Sequence, residues 1–177
     1  MKLQLRALTI IALAVGAGTI AAAENVWLDV PFIRQEDRGC GAASLAMVMD
    51  YWRGHGTGGS PADVQDIYRQ LYVPARKGIP ASAMQGYLES RGFQVFAFSA
   101  EWSDLRHHLD RGRPLIVALK TGADSFHYAV AAGASESTIS LNDPADRKLR
   151  LYSRADFEKR WAATERWTLL AVPLPGW

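Results

Sequence analysis

Cys40 is the only cysteine among 177 residues, and it stands between Gly39 and Gly41 where the polar run Glu36-Asp37-Arg38 gives way to an apolar-patterned segment. A sulfur at the start of a helix faces unpaired amide N–H groups and the positive end of the helix dipole, both of which favour thiolate over thiol. A thiolate is a nucleophile suited to attack on an acyl carbonyl carbon. Position alone leaves two other readings of this side chain open, an intermolecular disulfide and an inert buried thiol.

A thiol nucleophile needs a base that titrates near neutrality, and histidine is that side chain. Of the four histidines, His107 and His108 are adjacent in a charged segment and read as solvated surface residues, while His55 lies in the glycine-rich run Gly54 to Gly59 and is expected to lack fixed geometry. His127 differs, because it opens the apolar run Tyr128-Ala129-Val130-Ala131-Ala132 and a strand there would hold its backbone rigid. An imidazole in this role is oriented by an acceptor. Asp143 follows the apolar run Thr138 to Leu141, and a hairpin between the two runs brings both side chains to one sheet end. Asn142-Asp143-Pro144 also reads as a simple turn. Attack on an amide develops an oxyanion, and a fixed donor aimed at it contributes roughly 3 to 4 kcal/mol. Gln35, five residues before Cys40, could supply one such N–H and the Cys40 backbone the other, although an ordinary surface glutamine is the competing reading.

These residues need elements to position them. Val26 to Ile33 has extended character, and Cys40 to Trp52 places Ala42, Leu45, Ala46, Met49 and Trp52 on one helical stripe. Ser60 and Pro61 read as cap and first residue of a second helix running to about Tyr72, and a third spans Pro80 to Arg91 and stops at Gly92. After a strand from Phe93 to Phe98, Ser103 can cap a fourth helix that ends near Gly112. Strands follow at Leu115 to Leu119, His127 to Ala132, Thr138 to Leu141, Leu149 to Tyr152 and Trp167 to Val172, with a Ser153-capped helix through Trp161. Helices gather in the first half and strands in the second, which predicts an α+β domain.

Lys2 and Arg6 precede an uncharged run, Ala7 to Ala23, that ends in three alanines, the layout of a secretory signal peptide. The expected organisation is therefore a cleaved signal at 1–23 and one domain over 24–177, of a size that supports a single core. The expected compartment is the periplasm or the exterior, with no stable membrane association after cleavage. Twenty basic and 18 acidic residues give a net charge of +2 with no basic run, which argues against nucleic acid as a partner. No paired Cys/His spacing suits a metal and no glycine loop suits a phosphate, so no cofactor is expected.

Val30-Pro31-Phe32, Gln35 and Gly39-Cys40-Gly41-Ala42-Ala43-Ser44-Leu45-Ala46-Met47 together resemble the nucleophile segment of C39-type peptidases, which are bacterial enzymes of papain-like fold. Gly112-Arg113-Pro114-Leu115-Ile116-Val117, His127-Tyr128-Ala129-Val130 and Asn142-Asp143-Pro144 continue the resemblance in order. It implies a central nucleophile helix packed on an antiparallel sheet from the C-terminal half. It also implies Cys40 as nucleophile, His127 as base, Asp143 as orienting acid and Gln35 as oxyanion donor. The expected activity is that of a monomeric cysteine endopeptidase cutting an exported peptide or protein through a thioester. Acyl transfer and a catalytically silent peptide-binding module are the alternatives. The Gly-Gly specificity of transporter-linked members does not transfer to a chain of this organisation.

Overall fold

Small residues dominate the segment after Cys40, and they let neighbours approach it closely from several sides. In the computed structural model, which describes residues 27–57, 61–123 and 125–175, this segment is α1 (Cys40–Trp52), and Gly41 through Val48 are all buried. The single buried stripe expected from the sequence is too narrow a description. Strand β3 (Phe126–Ala134) packs on one side of α1, and α2 (Val64–Leu71) and α3 (Ala81–Ser90) pack on others. Met49 and Trp52, placed in that stripe, are only half-buried. Trp52 Nε1 donates to the Ala171 carbonyl at 3.0 Å.

Two helix starts differ from expectation. Asp63 caps α2, its carboxylate accepting the Asp66 N–H at 3.0 Å, and Pro61 precedes the helix. Asp50 of α1 accepts the Ala62 N–H at 3.0 Å, which fixes the chain before the cap and delays the first helical turn. In α4 (Trp102–Leu109) the cap is Glu101, whose own N–H donates to the Asp104 carboxylate at 2.7 Å, and Ser103 lies inside the first turn. Ser153 caps α5 (Arg154–Ala162) as predicted, its Oγ accepting the Asp156 N–H. The expected signal segment 1–23 and Ser60 lie outside the described residues.

The six strands form one antiparallel sheet. With β1 (Phe93–Ser99), β2 (Leu115–Lys120), β4 (Thr138–Asn142), β5 (Arg150–Ser153) and β6 (Trp167–Pro173), the order is β1-β6-β2-β3-β4-β5. The α+β architecture, with a central helix laid on an antiparallel sheet, is the predicted one. β2 is buried from Leu115 to Leu119, the continuous apolar run that a strand covered on both faces requires.

A register shift between Ala131 and Gly133 interrupts the β3–β4 ladder. The chain's first described residues use that interruption: Leu28 N–H donates to the Ala132 carbonyl at 2.6 Å, and Trp27 bridges Gly133. Of Val26 to Ile33, expected to be extended, the described part from Trp27 onward runs as a strap, with a bridge at Trp27 rather than a ladder. Fully buried Asn142 closes the strap, its Nδ2 donating to the Val30 carbonyl at 3.0 Å while its Oδ1 accepts the Leu149 N–H at 3.0 Å. Asn142→Ala strands both backbone groups, and each buried unpaired group costs about 1–3 kcal/mol. Urea unfolding is expected to show a loss of about 2–4 kcal/mol for this variant, with an unchanged slope.

Candidate active site

Cys40 is the first residue of α1, preceded by Gly39, and no acidic residue in the first turn competes for the helix dipole. His127 lies near the start of β3, opposite Leu119 in the β2 register. Val130 pairs with Asn142, so continuing that register by one residue sets Asp143 opposite Ala129. His127 shares a face with Ala129, which makes His127 and Asp143 diagonal neighbours across two strands. Their side chains meet, His127 Nε2 lying 2.6 Å from Asp143 Oδ1. The remaining ring nitrogen, Nδ1, is left for the Cys40 sulfur.

The Asx-turn reading of Asp143 also holds. Oδ1 accepts the Ala145 N–H at 3.1 Å as well as the imidazole, so one carboxylate both builds the turn and orients the ring. Gln35 is tied to this turn by its backbone, which donates to the Pro144 carbonyl at 2.9 Å. The four residues singled out in the sequence, Gln35, Cys40, His127 and Asp143, all line one cleft of about 1270 Å³.

Burial opposes ionisation of Cys40, but the hydrogen bond with His127 and the backbone N–H groups of Tyr128 and Gly41 outweigh it and hold the thiol below its ordinary value. Burial also disfavours a charged His127, yet its hydrogen bonds to Asp143 and Cys40 push it up to about 9. For Asp143 the desolvation is overcome by His127, by the Ala145 N–H and by Arg150, leaving the carboxyl more acidic than usual. These interactions favour thiolate, imidazolium and carboxylate in series. Burial and the neighbouring thiolate push the Tyr128 phenol up to about 12, so it stays neutral.

Sequence reasoning missed Arg150. It reaches Asp143 Oδ2 at 3.4 Å and Asp146 at 3.0 Å, and its guanidinium lies 4.8 Å from the Tyr152 ring centroid. It holds the carboxylate in place from the side away from the imidazole. Gly41 is a close-packing position, since a Cβ there would lie 3.0 Å from the Ile79 Cβ. Its lack of a side chain admits Ile79 against α1 and so sets one wall of the cleft. Two dismissed histidines are also better fixed than expected. His55 Nδ1 lies 2.7 Å from the Tyr51 carbonyl, because a π-type turn at Arg53–Thr57 extends α1. His108 is half-buried with an unpartnered Nδ1, since α4 turns it toward Phe98. Neither lines the cleft.

Solved structures share this fold. The peptidase domain of Streptococcus ComA, a bifunctional ABC transporter involved in quorum sensing, matches with a TM-score of 0.66 at 22% identity, over 82% of this chain and 99% of that one. A double glycine motif protease from an AMS/PCAT transporter, solved with its leader peptide, matches at 0.65 and 22%, over 84% and 94%. The peptidase domain of Streptococcus mutans ComA matches at 0.56 and 22%, over 80% and 98%. No curated protein gives a significant match. The Peptidase_C39 like family model matches residues 27–168, which spans α1, the strap and every residue of the cleft described above. The chain therefore belongs to the Peptidase_C39 like family and is a cysteine peptidase.

Proposed function

We propose that this chain is an endopeptidase that cleaves an exported peptide or protein through a thioester on Cys40. The observation that carries this reading is the Cys40–His127–Asp143 series lining an open cleft, with Cys40 held below and His127 above its ordinary value. Thiolate attack on the scissile carbonyl forms the S–C bond and moves the carbonyl π pair onto oxygen. The Cys40 backbone N–H and the Gln35 amide donate to that oxyanion. Gln35 is placed for the role by lining the same cleft as Cys40, and its buried Oε1 has no hydrogen-bond partner among the described residues. The imidazolium of His127 then protonates the leaving amine as the C–N bond breaks. Neutral His127 next takes a proton from water, which attacks the thioester and frees Cys40. Asp143 holds the ring orientation throughout.

The substrate is assigned as a peptide from the family and the cleft, and the leader-peptide complex of the transporter-linked relative supports that class. Export by the 1–23 segment places the reaction in the periplasm or outside the cell. There the unpaired thiolate is open to sulfenic acid formation and mixed disulfides, so activity is expected to rise with mild dithiothreitol. Equal rates with and without reductant count against an accessible low-pKa thiol. The direct test of the proposed function is N-terminal mapping of exported proteins from cells carrying wild-type or Cys40→Ser protein. New termini confined to the wild type support it, and identical termini overturn it.

A further inference from the structure

The cleft carries more positive charge than its chemistry uses. Arg38, Arg76 and Lys77 come from the helical half, and Arg150 and Arg160 from the sheet half and α5. Of the three carboxylates in the same cleft, Asp143 is engaged by His127 and Arg150, and Asp146 by Arg150 and Arg147. Asp37 reaches only Arg38, at 3.9 Å and in full solvent. Among the described residues, Arg76, Lys77 and Arg160 have no carboxylate partner, and all three are exposed. Backbone geometry singles out two of the cations further. Arg38 and Lys77 lie at φ +54° and +50°, in the left-handed region where glycine is the less strained choice. Each precedes a residue that shapes the site: Arg38 leads through Gly39 to Cys40, and Lys77 leads through Gly78 to Ile79. Side chains kept in costly backbone positions around a reacting group are characteristic of binding rims.

We infer that the cleft selects peptides rich in acidic side chains around the scissile bond, held by Arg76, Lys77 and Arg160, which line it. This inference rests on the peptidase reading and assigns its substrate class. Opposite charge in a shared groove raises both encounter rate and affinity, and several partly exposed pairs together give about a ten-fold preference.

The test uses three blocked peptides that are identical except for alternate positions carrying glutamate, glutamine or lysine. Each is titrated for protection of Cys40 against iodoacetamide in the whole protein. The glutamate peptide is expected to protect at a concentration about ten-fold below the glutamine peptide, and the lysine peptide to protect least. The advantage shrinks as salt is raised, and Arg76→Glu with Lys77→Glu reverses it. Equal protection by all three peptides, or protection by none, overturns the inference. Should Cys40 resist iodoacetamide altogether, the reactive thiol of the proposed function fails. The charge preference is then read independently, by fluorescence anisotropy of the labelled peptides on Cys40→Ala protein, where equal affinities overturn it.

Discussion

Replacing Cys40 with serine is expected to lower kcat/KM for any responsive peptide by about four orders of magnitude or more, with the fold intact. The reason lies in the resting charge state. In the native pair His127, two backbone N–H groups and the helix start all favour the thiolate over the thiol. A serine hydroxyl at the same place remains protonated at neutral pH, so its proton has to be removed during attack. His127 would also lose the anion that helps to hold its proton. Single-turnover cleavage measured beside circular dichroism separates lost chemistry from lost fold. Retention of more than about one-tenth of the rate in a folded variant would be incompatible with nucleophilic Cys40.

Asp143→Asn is expected to lower kcat by about a hundred-fold and to narrow the pH profile from both sides. One pKa unit corresponds to about 1.4 kcal/mol, and the carboxylate shares with the thiolate the upward displacement of His127 from 6.5 to about 9. Without that carboxylate the imidazolium is less stable, so the alkaline limb moves down toward the ordinary histidine range. The thiolate then has a weaker counter-ion, so the acid limb, set by Cys40, moves up. The two limbs belong to the coupled pair, and both must shift together. An asparagine variant with an unchanged alkaline limb would show that Asp143 serves only the turn at Ala145. A smaller loss of kcat is expected for Arg150→Ala, because Arg150 touches the carboxylate and not the imidazole.

The residues of the candidate site were legible because their signals are local: a lone cysteine at a helix start, a histidine opening an apolar strand, an aspartate in a turn two strands on. The strands were legible for the same reason, since β2 and β3 are continuous apolar runs. What escaped depends on neighbours distant in sequence. Asp63 displaces Ser60 and Pro61 as the start of α2 because Asp50, a helix away, accepts the Ala62 N–H. Glu101 rather than Ser103 starts α4, since Asp104 is placed to reach back to it. Gly41 admits Ile79 against α1, a contact that no local pattern reveals. Arg150 resembled any surface arginine until β4 and β5 paired and brought it beside Asp143.

The strap that joins Val30 and Gln35 to Asn142 and Pro144 also sets when the enzyme can act. Its bond between Asn142 and Val30 spans 112 positions, and Cys40 waits on a histidine and an aspartate from the far half of the chain. α1 can form early from local contacts, but these long loops close late in folding. Until they close, Cys40 has no imidazole beside it, so on the roles proposed for these residues a partly folded chain is inert. Catalytic power arrives with the last long-range contacts, which keeps an unfinished peptidase from cutting its neighbours or itself.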